Sequence, residues 1–331
     1  MQWIINIFCF YLFFYVFFRE IRKLSYENKF LGVLIGGAVG DSIGELAAVH
    51  IAKESLEDWL NEGDTLRYTD DTAMSIGLAE AIIEDNNVNE KIIGEKFQKN
   101  YAKEPWRSYS PSTPAIFAKV KKLDITYSKA AQQLYDGMGS FGNGAAMRIA
   151  PLGALYRNSS KLREISEISA RVTHSHPMGV DGACLLSYAI GKLVNLNPEE
   201  NFPLHDFIIG MVKFSKSKEI RNKLLKVMEL IAEDKSPKDA AKELKLSQRV
   251  DETIPFAIYS FLKNKKSFKN SLFCAILNGG DQDTLGAITG NLSGAYLGYE
   301  SIPENWASRL ENYEYLQSLS KQLNKLDGSV E

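Results

Sequence analysis

Two short segments place carboxylates next to threonine where an apolar helix is expected to begin. The sequence Thr-Asp-Asp-Thr at 69–72 precedes an apolar run at 73–83, and Asp-Gln-Asp-Thr at 281–284 precedes a glycine-rich run. The simplest interpretation is helix capping, because such side chains accept hydrogen bonds from the first-turn N–H groups and complement the positive helix end. One capping residue would suffice for that, whereas two neighbouring carboxylates repel each other unless a cation lies between them.

The same segments would form a metal site if the two helix starts meet in space. Hard cations such as Mg²⁺ prefer carboxylate and hydroxyl oxygens, and two such ions about 3.5–4 Å apart can orient a substrate and activate water. The four histidines include no His-Glu-x-x-His pattern, so zinc fits poorly. We favour the metal site over paired caps, and its candidate ligands are Thr69, Asp70, Asp71, Asp281, Asp283 and Thr284.

Two further segments have the composition of an anion-binding site. The run Gly-Ser-Phe-Gly-Asn-Gly-Ala-Ala-Met-Arg at 139–148 is dense enough in glycine for backbone N–H groups to approach a phosphate. No Lys-Ser or Lys-Thr follows it, so it is not a P-loop, and a flexible loop is the more frequent meaning of such a run. The segment Thr-His-Ser-His-Pro at 173–177 places His174 near glycines, although a histidine near a helix start is more often structural.

Helical periodicity dominates the elements that must position these segments. Strand patterns are weak, and the sequence beyond residue 27 has no Pro/Ser-rich linker, low-complexity tract or solenoid repeat. The sequence predicts an all-α fold with one compact domain over 28–325, a tail at 326–331, and loops near 105–115 and 136–147. Helices are predicted at 72–86, 90–103, 161–172, 179–194, 204–214, 218–234, 237–245, 253–264, 268–277, 284–298 and 308–324.

Two apolar segments carry glycine at every fourth position. The two series are Gly32, Gly36, Gly40 and Gly44, and Gly286, Gly290, Gly294 and Gly298. Glycine inside a helix costs up to about 1 kcal/mol relative to alanine, so a compensating gain is expected. Spacing of four aligns the glycines on one face, which lets another backbone approach closely. We predict two buried, tightly packed helices, with each other as one candidate partner, and we disfavour a membrane span at 31–44 because it is too short.

Charge and cysteine content exclude some classes of partner. The net charge of −2 gives no basic excess of the kind that direct nucleic-acid binding needs. The three cysteines, Cys9, Cys184 and Cys274, form no Cys-x-x-Cys pair and no disulfide framework. A reducing compartment is therefore expected, which places the domain in the cytoplasm.

The N-terminal segment 1–24 is expected to lie outside the domain as a short hydrophobic helix. Residues 3–18 are apolar apart from Asn6, a run slightly shorter than the roughly 17–25 residues of a spanning helix. Arg19, Arg22 and Lys23 follow it, so the C-terminal side would face the cytoplasm. Two interpretations stand equally: a signal anchor that associates the domain with a membrane, or an inert extension translated from an upstream start codon.

Taken together, these motifs resemble the ADP-ribosylglycohydrolase family and occur in the family's order. The resemblance covers about 30–325 and is closest to the branch that removes ADP-ribose from serine and also cleaves poly(ADP-ribose) and O-acetyl-ADP-ribose. The matching segments are Gly-Asp-Ser-Ile-Gly at 40–44, Tyr-Thr-Asp-Asp-Thr at 68–72, the glycine-rich run at 139–148, Thr-His at 173–174, Ile-Pro-Phe-Ala-Ile-Tyr at 254–259 and Gly-Gly-Asp-Gln-Asp-Thr at 279–284.

The resemblance implies an orthogonal all-α fold, two magnesium ions on the six candidate ligands, and ADP-ribosylated proteins or small molecules as partners of a monomeric hydrolase. We hypothesise that Asp70 or Asp71 orients the attacking water or accepts its proton. The residues assigned to substrate binding, mainly to the diphosphate and ribose, are Asp41, Gly139, Ser140, Phe141, Gly142, Asn143 and His174.

Three positions depart from the family pattern. Ala48 stands where family members often carry a glutamate, which in the serine-directed branch is a mobile metal ligand, and the nearest carboxylate is that of Glu45. Phe141 replaces the usual tyrosine but keeps a face for stacking, and Gln282 replaces a threonine and could lean toward solvent without harm. A non-catalytic ADP-ribose-binding or crystallin-like protein on the same fold is therefore the main alternative. A two-span membrane protein and a magnesium-dependent nucleotide phosphatase are the others.

Overall fold

The structure is a computed structural model that describes residues 24–50 and 52–328, and these residues form helices and loops with no β-sheet. This confirms the all-α fold class. The α-helices are α1 (Tyr26–Val49), α2 (Lys53–Glu62), α3 (Asp70–Asp85), α4 (Glu90–Lys103), α5 (Ser112–Leu123), α6 (Tyr127–Gln132), α7 (Ala150–Leu155), α8 (Leu162–Arg171), α9 (Pro177–Asn195), α10 (Leu204–Phe214), α11 (Lys218–Ala232), α12 (Pro237–Leu244), α13 (Val250–Lys263), α14 (Phe268–Ile276), α15 (Gln282–Leu297), α16 (Glu304–Ala307) and α17 (Tyr313–Leu326).

Every helix predicted from periodicity is present, most with ends shifted by three residues or fewer. The largest shift is at α17, which begins at Tyr313 because the short helix α16 and a turn occupy the residues before it. The sequence missed α2, α5, α6, α7 and α16. Of these, α6, α7 and α16 have six residues or fewer, and α2 buries only Leu56 and Leu60. The apolar segment 3–18 lies outside the described residues.

The two glycine-bearing helices α1 and α15 pack directly against each other, which was one of the packing arrangements predicted from the sequence. A Cβ atom on Gly40 would collide with the carbonyl oxygen of Gly286, and one on Gly290 with that of Gly36. The backbones therefore touch where side chains would otherwise separate them. By length and composition α1 alone among the described helices could cross a membrane, but 83% of its most apolar window is buried, as in the core helix of a soluble protein.

This glycine contact brings the two carboxylate segments of the sequence to one place. At the end of the contact, a Cβ atom on Gly44 would collide with the carbonyl oxygen of Gln282, so the start of α15 lies against α1. Three residues earlier on α1, Asp41 accepts hydrogen bonds from Thr69 and Thr72 at the start of α3. Helix α1 is thus the scaffold on which the starts of α3 and α15 meet.

Candidate active site

Asp41 accepts hydrogen bonds from residues at the start of α3. The hydroxyl of Thr69 donates to its Oδ1 at 2.7 Å and the hydroxyl of Thr72 to its Oδ2 at 2.6 Å, and both backbone N–H groups donate to it as well. Burial raises the pKa of Asp41 to about 6, and these hydrogen bonds oppose that rise. Asp41 is 0% exposed and is absent from the cavity wall. Its position therefore fits a positioning residue and does not fit the substrate contact expected from the sequence.

Four aspartates line a cavity of about 930 Å³ between the starts of α3 and α15. We call Asp70, Asp71, Asp281 and Asp283 the carboxylate cluster. Burial, and then repulsion from Asp41, raises the pKa of Asp70 to about 8; burial and repulsion from Asp281 raise that of Asp283 to about 7. Burial and repulsion from Asp283 also raise the pKa of Asp71 well above its ordinary range. The cluster thus concentrates negative charge that it does not neutralise internally.

The composition of this cluster fits a hard cation. Oδ1 of Asp71 is buried and has no hydrogen-bond partner, which is costly for a carboxylate oxygen unless another ligand satisfies it. All the candidate donors are oxygen atoms, the ligand type that Mg²⁺ prefers. Within the part of the chain that the structure describes, no three His, Cys, Asp or Glu side chains already converge as a coordination group.

The glycine-rich loop forms another wall of the cavity, where Gly139 adopts a left-handed φ of +72°. A Cβ atom there would collide with the hydroxyl of Ser175, so the loop requires glycine at this position. The N–H groups of Gly139, Gly142 and Asn143 donate to acceptors inside the protein. Among the described residues, those of Ser140 and Phe141 have no acceptor and so remain available for an anion.

Asn143 ties this loop to the second carboxylate segment. Its Nδ2 donates to Oδ2 of Asp281 at 2.7 Å and to the hydroxyl of Thr253 at 3.1 Å. The other oxygen of Asp281 accepts from Nε2 of Gln248 at 3.3 Å. Sequence reasoning placed Asn143 among the substrate-binding residues, and the structure gives its amide a contact with the carboxylate cluster.

His174 is held by a hydrogen-bonded chain that fixes its tautomer. Arg148 donates to the hydroxyl of Thr173 at 2.8 Å, and that hydroxyl lies 2.8 Å from Nδ1 of His174. If Nδ1 also donated, the buried Thr173 hydrogen would have no acceptor among the described residues, at a cost of roughly 1–3 kcal/mol. Thr173 therefore donates to Nδ1, and Nε2 carries the proton near Gly142 and Gly144. Burial and Arg148 lower the pKa of His174 to about 3, so the ring is neutral.

Comparison with known proteins assigns the chain to a family. A family model described as ADP-ribosylglycohydrolase matches residues 22–330. The chain belongs to the ADP-ribosylglycohydrolase family. This confirms the resemblance seen in the sequence and the expected enzyme class, ADP-ribosyl hydrolase.

Individual relatives are similar in sequence to this chain over nearly its whole length. ADP-ribosylhydrolase ARH3 of Xenopus tropicalis is 30% identical, covering 90% of this chain and 95% of the relative; the human ARH3 is 27% identical, covering 92% and 94%. The ADP-ribosyl-[dinitrogen reductase] glycohydrolase of Rhodospirillum rubrum is 26% identical, covering 87% and 92%. A solved ADP-ribosylglycohydrolase-related protein complex matches the fold with a TM-score of 0.67 at 20% identity, covering 91% and 99%.

Sequence reasoning missed two residues that line the cavity of this ADP-ribosylglycohydrolase. Arg148 is 1% exposed, donates to the carbonyl of Gly144 at 2.8 Å, and lies 4.7 Å from the ring centre of Phe97. Burial lowers its pKa to about 9, and Asp70 opposes that shift. The hydroxyl of Tyr109 is buried without a hydrogen-bond partner. Arg148 could have been found from its place at the end of the glycine-rich run, whereas no sequence signal marks Tyr109.

Of the three departures from the family pattern, Phe141 lines the cavity, whereas Ala48 and Gln282 do not. Phe141 is 37% exposed; the Arg249 guanidinium lies 4.8 Å from its ring centre and the His176 ring packs against it in a T-shaped contact at 5.4 Å, which leaves part of the ring exposed for stacking. Ala48 is exposed on the last turn of α1, and Glu45 on the same helix contributes to the raised pKa of Asp283. Gln282 is half-buried, and its Nε2 donates to the carbonyl of Ile276 at 2.7 Å.

Proposed function

We propose that this protein is a magnesium-dependent ADP-ribosyl hydrolase that removes ADP-ribose from modified proteins, with the serine linkage favoured. Poly(ADP-ribose) and O-acetyl-ADP-ribose are its further candidate substrates. The observation that carries the proposal is the buried, mutually repelling carboxylate cluster in a cavity large enough for a nucleotide sugar. The relatives named ADP-ribosylhydrolase ARH3 support the choice of substrate class.

The cation site of this proposal uses the oxygen ligands at the two helix starts. Two magnesium ions would neutralise the carboxylates and polarise the ribose oxygens and a water molecule when bound. The buried Oδ1 of Asp71 and the raised pKa values of Asp70 and Asp283 support this assignment. The proposed ligands are Thr69, Asp70, Asp71, Asp281, Asp283 and Thr284.

The remaining cavity residues would bind and orient the substrate. The N–H groups of Ser140 and Phe141 would donate to the diphosphate, and the exposed Phe141 face would stack on the base. Neutral His174 would donate from Nε2 to a diphosphate or ribose oxygen without adding charge. Asp70 or Asp71 would orient the water that attacks the anomeric carbon and accept its proton as the acceptor leaves.

The alternative is a protein that binds ADP-ribose without hydrolysing it. The observation in its favour is Ala48, which gives the last turn of α1 no carboxylate at the position where the family often has one. Against it stands the retained cluster of repelling carboxylates, since nothing in a purely structural role requires them. Glu45 lies close enough to Asp283 to influence its pKa and is the nearest substitute on the same helix.

The proposal is tested by ADP-ribose release from a serine-ADP-ribosylated peptide by the full-length protein, in Mg²⁺ and in a chelator. We expect release in Mg²⁺ only, and none from Asp283→Ala with an unchanged helical circular dichroism spectrum. A folded wild-type protein that binds ADP-ribose but releases none would favour the binding role. We further propose a cytoplasmic monomer; attachment to a membrane through residues 3–18 stays a prediction.

A further inference from the structure

A second cleft adjoins the active-site cavity. Its volume is about 650 Å³, within the range of small-molecule sites. Phe141 and Arg249 line both the cleft and the cavity, whereas the carboxylate cluster lines only the cavity. A ligand that stacks on Phe141 therefore has a route from the carboxylate cluster past this ring into the cleft.

The second cleft carries more cations than carboxylates. Its acids are already engaged: Asp181 accepts from the Ser215 hydroxyl at 2.6 Å and pairs with Arg163 at 3.0 Å, and Glu167 pairs with Lys216 at 3.0 Å. The Glu219 carboxylate accepts from the Ser217 hydroxyl. The cations are Arg163, Arg171, Lys216, Lys218 and Arg249, and the carboxylates are Glu167, Asp181 and Glu219.

Two of these cations, Arg171 and Lys218, can turn toward an anion without breaking a buried ion pair. The side chain of Arg171 is 48% exposed and lies 3.9 Å from its acidic partner Glu167, a weak contact. Arg249 is 42% exposed and lies over the ring of Phe141, while its Nε donates to the buried carboxylate of Asp251 at 3.0 Å. Lys218 is exposed on the first turn of α11, where the helix end adds a partial positive charge.

We propose that the second cleft binds a further nucleoside-diphosphate unit of a poly(ADP-ribose) chain, so that the polymer lies across both clefts. This inference rests on the proposed function, because it takes the first unit to occupy the cavity with its base on Phe141. In the polymer, the nucleoside ribose of one unit carries the next unit, so the chain continues from the end of the unit that lies nearest the second cleft. The added diphosphate would then meet Arg171, Lys218 and Arg249.

The test compares the binding of ADP-ribose and of a two-unit ADP-ribose oligomer to the full-length protein by calorimetry in a chelator, where the proposed function leaves the oligomer intact. We expect the wild type to bind the oligomer roughly tenfold more tightly than ADP-ribose, with an advantage that shrinks as salt is added. The double variant Arg171→Glu/Lys218→Glu should lose this advantage and keep its affinity for ADP-ribose. Lys321→Glu on α17 reverses one charge at an exposed position outside both clefts and should behave as wild type.

Three outcomes would overturn the subsite. In the first, the wild type binds ADP-ribose and the oligomer with equal affinity. In the second, the double variant loses affinity for both ligands to the same extent. In the third, binding of a Glu-rich peptide, and not of the oligomer, depends on Arg171 and Lys218. The last result would assign the cleft to the acceptor protein. Absence of ADP-ribose release from the serine-linked peptide would instead refute the proposed function, and the binding comparison would still decide on the cleft.

Discussion

Asp283→Asn should make the metal-free protein more stable at alkaline pH, because it removes one charge from the carboxylate cluster. Burial and Asp281 raise the pKa of Asp283 to about 7 in the folded state, against about 3.9 for an unfolded chain. A raised folded pKa means that the folded state binds the proton more tightly. The resulting stability is fully present below about pH 4 and is lost as the pH rises through about 7.

The size of the effect follows from that shift. Three pKa units correspond to at most about 4 kcal/mol, and this penalty applies to the wild type above pH 7. Asparagine avoids it and keeps the acceptor oxygen that now receives the Thr284 N–H at 2.8 Å. In chelator at pH 8 we expect the variant to unfold several degrees above the wild type, with a smaller gap at pH 6. Added Mg²⁺ should stabilise the wild type more than the variant.

The control is Asp181→Asn, which changes an aspartate that is more deeply buried than Asp283 but fully hydrogen-bonded. Its oxygens accept from Ser215, from the N–H groups of Lys216 and Ser217, and from Arg163. This variant should lose stability at both pH values. The reasoning would be refuted if Asp283→Asn were less stable than the wild type in chelator at pH 8, or if its effect did not change with pH.

Three further predictions concern the cation, His174 and the glycine contact. The raised pKa of Asp70 means that protons compete with the cation, so calorimetry should show weaker Mg²⁺ binding at pH 6 than at pH 8. Thr173→Val should weaken ADP-ribose binding by roughly tenfold and alter the ¹⁵N shift of His174 Nδ1, whereas Thr173→Ser should preserve both. Gly290→Ala forces a Cβ against the carbonyl of Gly36 and should lower the melting temperature by several degrees; an unchanged value would contradict the packing.

The sequence was most informative where one pattern admits few structures. Glycine at every fourth position led to two packed helices because little else compensates for so many glycines, and α1 and α15 have that contact. Carboxylates beside threonine marked the starts of α3 and α15, and the cavity between them holds these residues. Short helices such as α6 and α7 were missed because six residues carry too little periodicity to distinguish a helix from a loop.

The role of a polar residue depends on where its side chain points, which the spacing of residues in the sequence does not determine. Asp41 sits in a motif beside the cluster, but its side chain turns inward to Thr69 and Thr72. Arg148 donates a hydrogen bond to Thr173, which is distant in the sequence and becomes a neighbour only in the fold. The N–H groups of the glycine-rich loop that remain available could be identified only after the bonds of the others were known.

The central claim is that the carboxylate cluster binds the cations on which hydrolysis depends. The most direct measurement titrates the metal-free protein with Mg²⁺, counts the ions bound per chain, and follows ADP-ribose release from the serine-linked peptide in the same samples. We predict two ions per chain, release that rises with their binding, and loss of both in Asp71→Ala and Asp283→Ala. Full release in chelator, or normal ion binding by both variants, would contradict the account.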